Sequence, residues 1–213
     1  MKYYPIFLDI RDKKCVVVGG GEVAARKVER LLDCGAEVFV ISPKLSPELA
    51  ELKEKGFIHH IALEYKVALI DKAALVIGAT DDEKTNAQIS LDSRAKGIPV
   101  NIVDNPQKCD FILPSIVQRG DLAITIGTGG KSPALARYLR EKLEEQYGRE
   151  YEILLNILGT LRIAMMGKTG IDKRWVASLI EAGILDFIKA GDREKVKKIV
   201  CNITGEEVDI ELD

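Results

Sequence analysis

The feature that most restricts the fold is a short apolar run that passes directly into three glycines. Residues 14–18 read Lys-Cys-Val-Val-Val, and Gly19-Gly20-Gly21 follow. A continuous β-branched run is typical of a strand that is buried on both faces of a parallel sheet. A helical pattern then extends from about Glu22 to Cys34 and ends at Gly35, a residue type that often follows a helix terminus. This stretch therefore predicts a strand, a glycine turn and a helix.

Four more apolar runs alternate with helical patterns up to about residue 113. They predict strands at Glu37–Ile41, Phe57–Leu63, Ala74–Ala79 and Pro99–Val103. Two of the intervening helices start at Ser46-Pro47 and at Thr80-Asp81-Asp82, which have the residue types that cap helix N-termini. Strands that alternate with helices form parallel sheets. We predict an α/β domain over residues 1–113, with a Rossmann-like, doubly wound sheet of five strands.

The pattern changes beyond this domain. Apolar runs at Phe111–Gln118 and Leu122–Gly127 flank Arg119-Gly120-Asp121, which predicts a β-hairpin. A helix should then run from Pro133 to about Tyr147, with an apolar stripe at Leu135, Tyr138, Leu139 and Leu143. The sheet domain does not need these apolar runs, and an exposed apolar hairpin invites association. We therefore expect a dimerisation segment at residues 114–149.

Residues 150–213 predict a small all-helical domain. Helical patterns occur at about 150–165, 172–182, 184–190 and 192–200, and Gly167, Gly170, Gly183 and Gly191 separate them.

Composition excludes several classes of protein. The 213 residues carry a net charge of −2, which argues against a non-specific nucleic-acid binder. No apolar run approaches the roughly 20 residues of a membrane span, and the N-terminus lacks a signal-peptide pattern. We therefore expect a cytoplasmic protein with neither a nucleic-acid nor a membrane partner. No two of the four cysteines form a Cys-x-x-Cys unit, and the adjacent His59 and His60 should point to opposite faces of a strand, so no metal site is predicted.

The glycine turn fits the dinucleotide-binding pattern G-x-G-x-x-A as Gly19, Gly21 and Ala24. In this pattern the first glycine permits a tight turn, the second lets the backbone approach a pyrophosphate, and the small third residue lets helix and strand pack closely. The phosphates then lie at a helix N-terminus, which favours negative charge. The alternative is a glycine-rich turn with a structural role only.

The second strand lacks the acidic residue that commonly binds the ribose of NAD. It ends at Ser42-Pro43-Lys44. Ser42 can form one hydrogen bond to a ribose, and Lys44 can either face the 2′-phosphate of NADP or be a solvated charge. These residues leave the choice between NAD and NADP open.

Asp104 directly follows the fifth predicted strand. The carboxyl ends of strands in an open α/β sheet line the crevice where ligands react, and an aspartate there is a natural general acid or base. The alternative is that Asp104 caps the turn Asp104-Asn105-Pro106.

A second polar cluster lies at Thr125–Pro133. Glycines free its backbone, and Ser132 and Pro133 begin a helix, so the segment can form an anion site. Basic residues nearby suit a substrate rich in carboxylates: Arg119, Lys131, Arg137 and Arg140. The alternative is a capped helix with solvated arginines.

Several longer motifs occur in order along about residues 3–147: Pro5-Ile6-Phe7-Leu8-Asp9-Ile10, Val18-Gly19-Gly20-Gly21-Glu22-Val23-Ala24-Ala25-Arg26-Lys27, Ala79-Thr80-Asp81-Asp82, Asn101-Ile102-Val103-Asp104, Phe111-Ile112-Leu113-Pro114-Ser115-Ile116 and Gly129-Gly130-Lys131-Ser132-Pro133-Ala134-Leu135-Ala136-Arg137. In these motifs the chain resembles the precorrin-2 dehydrogenase and sirohydrochlorin ferrochelatase family of siroheme biosynthesis. Residues 150–213 resemble it only as a helical tail.

The resemblance implies NAD as hydride acceptor and a homodimer whose middle segments exchange contacts. It also implies that Asp104 is the central catalytic residue. It implies cofactor contacts at Glu22-Val23 and Pro43-Lys44, and it puts Thr128 in a glycine loop that faces the substrate. Together with the patterns above, the candidate cofactor-binding residues are Gly19, Gly20, Gly21, Glu22, Val23, Ser42, Pro43, Lys44 and Thr80. The candidate substrate-binding residues are Asn101, Thr128, Gly129, Lys131, Ser132 and Arg137.

The implied reaction is the NAD-dependent oxidation of precorrin-2, a tetrapyrrole with eight carboxylates, to sirohydrochlorin. Insertion of Fe²⁺ into that product is left open. Two alternatives remain. A non-catalytic NAD-sensing module would explain the glycine turn but not Asp104. An NADP-dependent carbonyl reductase would use a Tyr-x-x-x-Lys pair, and Tyr138 and Lys142 have that spacing, although Tyr138 is already part of an apolar stripe.

Overall fold

The apolar run before the glycines forms the central strand of a parallel sheet in the computed structural model, which describes residues 3–166 and 174–210. The sheet has five strands: Lys14–Val18 (β1), Glu37–Ile41 (β2), Ile58–Ile61 (β3), Leu75–Gly78 (β4) and Val100–Ile102 (β5). All neighbouring pairs are parallel, in the order β3-β2-β1-β4-β5. The order reverses at β1, as in a doubly wound sheet. The predicted five-stranded, Rossmann-like fold is confirmed.

Helices connect these strands and cover the sheet. They are Glu22–Asp33 (α1), Pro47–Glu54 (α2) and Glu83–Ala95 (α3), with 3-10 turns at Val67–Ile70 and Pro106–Lys108. Alternate residues of β1 face different cores, because successive side chains of a strand point to opposite sides. Val17 packs in one core with Ala24 of α1, whereas Val16 packs in the other with Ile89 of α3. All four side chains are completely buried.

Contacts divide the chain into two compact units, Met1–Leu113 and Pro114–Asp213. The second unit starts with an antiparallel hairpin of Ser115–Arg119 (β6) and Leu122–Ile126 (β7). Five helices follow among its described residues: Pro133–Gln146 (α4), Glu150–Ala164 (α5), Trp175–Glu181 (α6), Ile184–Lys189 (α7) and Arg193–Thr204 (α8). The last four helices share an aliphatic core. The division into a dimerisation segment and a helical domain within this unit stays a prediction.

Three details differ from the sequence-based expectations. The first hairpin strand begins at Ser115 rather than Phe111, because the Phe111 carbonyl accepts a hydrogen bond from the Asn101 side chain of the first unit. The third strand is shorter than predicted, Ile58–Ile61. Leu135 and Tyr138 of the predicted apolar stripe are about half exposed. Residues 172 and 173 of one predicted helix, and Gly167 and Gly170, lie outside the described residues.

No helix within residues 3–166 and 174–210 is long and apolar enough to cross a membrane.

The buried sheet predicts where truncation is costly. Ile77 lies in β4 with 1% of its surface exposed, whereas Leu91 of α3 is 63% exposed. Ile77→Ala should lower the free energy of unfolding by about 2–5 kcal/mol, since it leaves a cavity between two layers. Leu91→Ala should change it by less than about 0.5 kcal/mol. Urea unfolding followed by circular dichroism measures both, and equal effects would contradict this account of the core.

Candidate functional site

An open cleft of about 850 Å³ lies at the carboxyl ends of β1, β2 and β4. This is the edge where the strand order reverses, and open α/β sheets bind ligands there. The lining comes from four stretches of the first unit: residues 18–23, 41–48, 63–65, and 79–82 with Thr85. The cleft therefore brings together all nine residues that the sequence predicted for cofactor binding.

Two of the three glycines are required by contacts within the protein. Gly19 has a φ of +130°, and an added Cβ there would overlap the carbonyl of Ala79. A Cβ on Gly20 would overlap the carbonyl of Lys44 and the side chain of Ser42. The turn between β1 and α1 thus packs directly against the loops that follow β4 and β2.

Gly21 differs from its two neighbours. An added Cβ at Gly21 would meet no atom within 4 Å, and its φ is −89°. Neither packing nor backbone conformation requires glycine at this position. The close approach of a ligand to the backbone remains as the physical reason for its place in the motif.

The N-terminus of α1 opens on the cleft without a side-chain cap. The N-cap residue of α1 is Gly21, which has no side chain to accept a hydrogen bond from the amides of the first turn. In α2 and α3 the side chains of Ser46 and Asp82 accept such bonds. The first N–H groups of a helix have no partner within the helix, and the helix dipole adds partial positive charge there. The exposed Glu22 and Val23 form this first turn. The arrangement can hold a pyrophosphate.

The loop after β2 is held by hydrogen bonds of its own. The buried Ser42 hydroxyl donates to the Lys44 carbonyl at 2.7 Å, and His60 Nε2 lies 2.9 Å from the Ser42 carbonyl. The Ser46 amide donates to the Gly20 carbonyl at 2.7 Å. The Ser42 hydrogen is therefore used within the loop, while the side chains of Pro43 and Lys44 are exposed at the cleft.

The cleft is acidic. Lys44 is the single basic residue in the described lining, which carries five carboxylates: Glu22, Glu48, Glu64, Asp81 and Asp82. The Thr85 hydroxyl and amide hold the pKa of Asp82 below its usual value. The pKa of Glu48 is lowered by its own backbone amide and by the Ser46 hydroxyl. These two groups are therefore ionised at neutral pH.

Thr80 is fixed by a residue that no motif indicated. Its hydroxyl lies 2.9 Å from Asn86 Oδ1, and Asn86 Nδ2 donates to the Thr80 carbonyl at 2.8 Å. In the sequence, Asn86 is distinguished only as an amide side chain in the first turn of α3, shortly after the Asp82 cap. Residues 63–65 after β3 were also missed, because they carry no pattern typical of a cofactor site.

Asp104 lies at the same carboxyl edge, one strand from the cleft. The preceding residue, Val103, donates its amide to the Gly78 carbonyl at 2.9 Å, and Ala79-Thr80 of the cleft follow Gly78. Asp104 is exposed and adopts a left-handed φ of 59°, which aspartate tolerates better than most residues. It does not line the cleft itself.

A half-buried lysine interacts with Asp104. Burial lowers the pKa of Lys27, the positive charge of Arg26 lowers it further, and the Asp104 carboxylate acts in the opposite direction. Lys27 stands in the extended glycine motif, but the motif did not assign it a role. The arrangement places a cation of α1 near the candidate catalytic carboxylate.

Asn101, which was predicted to bind substrate, is buried in the middle of β5. Its Nδ2 donates to the Phe111 carbonyl at 2.9 Å, which ties β5 to the end of the first unit. Its assignment to substrate binding stays a prediction.

The remaining predicted substrate residues lie in the second unit, around the loop before α4. The Thr128 hydroxyl accepts from the Ser132 amide at 3.3 Å and donates to the Ser132 carbonyl at 3.1 Å. Gly129 and Gly130 both have left-handed φ angles, 63° and 82°. Lys131 is exposed, and Ser132 caps α4. The loop is thus closed by Thr128 and leaves its glycine backbone accessible.

The arginines of α4 have acidic partners. Arg137 pairs with Glu141 at 2.9 Å, and Arg140 pairs with Glu144 at 2.6 Å. Arg119 donates to the Glu144 carbonyl at 3.2 Å. Of these predicted cations, Lys131 is therefore the best candidate to bind a carboxylate of the substrate.

Comparisons with known proteins bear on both units. A family model described as "Putative NAD(P)-binding" matches residues 6–115, slightly more than half of the chain. The chain belongs to this NAD(P)-binding family. A second model, described as "Sirohaem biosynthesis protein central", matches residues 119–146. The first match covers the cleft and Asp104, and the second covers β7 and the whole of α4.

Named relatives agree with the family models. A siroheme synthase of Methylobacillus flagellatus is 48% identical over 92% of this chain, and one of Nitrosococcus oceani is 42% identical over 92%. The chain spans 43% of the length of each. Among solved structures, "SirC, precorrin-2 dehydrogenase" matches with a TM-score of 0.71 and 24% identity, covering 96% of this chain and 100% of that one. The resemblance to siroheme-synthesis proteins is confirmed, and the solved structure has the same fold.

The geometry of Gly21 makes a sharp prediction. Gly21→Asp should abolish measurable NAD⁺ binding, because a carboxylate would occupy and repel the pyrophosphate position at the N-terminus of α1. The protein should stay folded, since the new side chain enters open space. Titration calorimetry measures the affinity, and thermal unfolding checks the fold.

Gly159→Asp is the matched control. Gly159 lies in α5 of the second unit, and its added Cβ also meets nothing within 4 Å. This variant should bind NAD⁺ like the wild type. Unchanged affinity in Gly21→Asp would show that the glycine turn is structural only.

Proposed function

We propose that this protein oxidises precorrin-2 to sirohydrochlorin with NAD⁺ as the hydride acceptor. The observation that carries the proposal is the uncapped N-terminus of α1, which opens on the cleft beside the vacant space at Gly21. The siroheme synthase relatives support the substrate class.

The charge of the cleft favours NAD over NADP. Five carboxylates and one lysine line it, so the 2′-phosphate of NADP would enter a negative field. The exposed Lys44 alone does not offset these charges. Pro43 and Lys44 then contact the adenosine half, while the first turn of α1 holds the pyrophosphate.

Bound NAD⁺ supplies the hydride acceptor, so oxidation of precorrin-2 yields sirohydrochlorin, NADH and one proton. The protein must hold the macrocycle against the cofactor and provide a route for the proton. We assign the second task to Asp104, and its exposure at the carboxyl edge next to the end of β4 supports this. The charge of Lys27 on α1 interacts with the Asp104 carboxylate.

The loop before α4 is the proposed contact for the substrate carboxylates. Its glycine backbone is accessible, and Lys131 adds a positive charge beside the N-terminus of α4. The Thr128 hydroxyl bonds to the backbone of Ser132, so it shapes the loop rather than pointing to the substrate as a free hydroxyl. Arg137 contributes less, since Glu141 neutralises it.

A homodimer through residues 112–147 is part of the proposal. Leu135, Tyr138 and Leu139 form an exposed apolar face on α4, which supports association with a second copy. A cytoplasmic location is supported by free thiols at Cys15, Cys34 and Cys201.

The direct experiment is anaerobic incubation with enzymatically generated precorrin-2 and NAD⁺, followed by visible absorbance. Formation of sirohydrochlorin and NADH supports the proposal. NAD⁺ binding without oxidation would overturn it in favour of a sensing module. Fe²⁺ insertion stays a prediction, and addition of Fe²⁺ or Co²⁺ to the same cuvette tests it. Within the part of the chain that the structure describes, no group of three His, Cys, Asp or Glu side chains could hold a metal.

Replacement of Asp104 separates its roles. Asp104→Ala should slow oxidation by roughly 10²–10⁴-fold, the usual loss for a general acid or base, with NAD⁺ affinity nearly unchanged. Asp104→Asn keeps the shape but cannot accept a proton, so equal losses in both variants indicate proton transfer or charge. Activity retained only in Asp104→Asn indicates positioning. Near-wild-type rates in both would reduce Asp104 to a turn residue.

The exposed face of α4 predicts the oligomeric state. Light scattering at micromolar concentration should give twice the chain mass for the wild type. Leu139→Asp should shift the protein towards monomer, because it places a charge in the apolar contact. Gln146→Asp, at the exposed end of the same helix, should remain dimeric. A monomeric wild type would rule out the proposed dimer.

A further inference from the structure

The thiol of Cys109 lies at the centre of the turn that carries Asp104. Its Sγ accepts from the Ile102 amide at 3.1 Å and lies 3.2 Å from the carbonyl oxygens of both Ile102 and Asn105. Asn101 Nδ2 approaches the same sulfur at 3.6 Å. One side chain therefore contacts the main chain on both sides of Asp104.

These contacts matter because β5 is an edge strand of the sheet. Successive amides of a strand point to opposite sides, so Val103 donates to Gly78 of β4 while Ile102 faces away from the sheet. Residues 109–110 form hydrogen bonds with the backbone groups on this outer edge of β5. Asp110 bonds both backbone groups of Val100, whereas the Cys109 sulfur accepts from the Ile102 amide and lies 3.2 Å from the Ile102 carbonyl oxygen.

Asp104 itself needs such support. Its φ of 59° is disfavoured for a residue with a side chain, so surrounding contacts must hold it. On one side, the Val103–Gly78 bond fixes the strand end. On the other, the Asn105 carbonyl accepts from the Lys108 amide at 3.0 Å and meets the Cys109 thiol.

We propose that Cys109 is a positioning residue for Asp104, acting through the hydrogen bonds of its thiol to Ile102 and Asn105. The inference rests on the proposed function for the role of Asp104 but not for the geometry of the turn. The thiol holds both flanks of Asp104 and so fixes where its carboxylate meets the substrate.

A pair of substitutions separates this role from packing, since Cys109 also contacts an apolar core. Cys109→Val keeps the apolar volume and suits the extended backbone at φ −110°, but it removes the hydrogen bonds. Cys109→Ser keeps a donor and acceptor and loses apolar character. If Cys109 positions Asp104, the serine variant should retain activity and the valine variant should lose it. If Cys109 acts only by packing, the reverse is expected.

The kinetic test measures precorrin-2 oxidation. Cys109→Val should lower kcat by about 10–100-fold, as expected for a misplaced catalytic group, with the Kd for NAD⁺ unchanged. Cys109→Ser should stay within about threefold of wild type. In the Asp104→Asn background, Cys109→Val should cause no further loss, because its effect passes through Asp104. Cys201→Ser, an exposed cysteine of α8, is the control with unchanged activity.

A second measurement does not depend on the reaction. The Asn105 amide donates to the Ile102 carbonyl at 3.2 Å, and this bond closes the turn. Hydrogen exchange at this amide should be faster in Cys109→Val and restored in Cys109→Ser. If the wild type fails to oxidise precorrin-2, the proposed function is wrong and this exchange alone decides the geometry. Unchanged exchange, or wild-type kcat in Cys109→Val, overturns the proposal.

Discussion

The close approach of three backbone segments at the end of β1 determines the rest of the site. Gly19 touches the chain after β4, and Gly20 touches the chain after β2, so no side chain fits at either position. This contact fixes two walls of the cleft relative to the first turn of α1. It also leaves the third glycine facing empty space, with uncapped amides beside it. A surface that suits an anion thus results from packing requirements one and two residues earlier in the chain.

The parts of this structure that the sequence predicted are those with a local pattern. The β-branched run of β1, the caps Ser46 and Asp82, and the position of Asp104 after a strand all depend on neighbours within a few residues. The roles of Lys27, Asn86 and Cys109 depend on partners brought together by folding, and no periodicity reports such contacts. The start of β6 was misjudged for the same reason, since a side chain distant in sequence takes the Phe111 carbonyl.

Polar residues near the site divide into those that face solvent and those whose hydrogen bonds are already used. The side chains of Ser42, Thr80 and Asn101 form hydrogen bonds within the protein, and these bonds hold the backbone around the site in place. Lys44, Lys131 and Asp104 remain exposed and can meet a ligand. A sequence shows the residue type but not the partner, so both classes look alike before folding. The acidic lining of the cleft is a further collective property, because its carboxylates come from four separate stretches of the chain.

The contact between Gly20 and the β2–α2 loop also limits how cofactor preference can be redesigned. The carbonyl of Lys44 and the side chain of Ser42 pack against Gly20, and the Ser42 hydroxyl holds that carbonyl in place. Grafting a loop of different length from another dehydrogenase would displace the glycine turn together with the pyrophosphate position. Only the outward side chains of Pro43 and Lys44 can change without moving the backbone. Engineering towards NADP is therefore restricted to point substitutions at these two positions and at the acidic residues of the cleft lining.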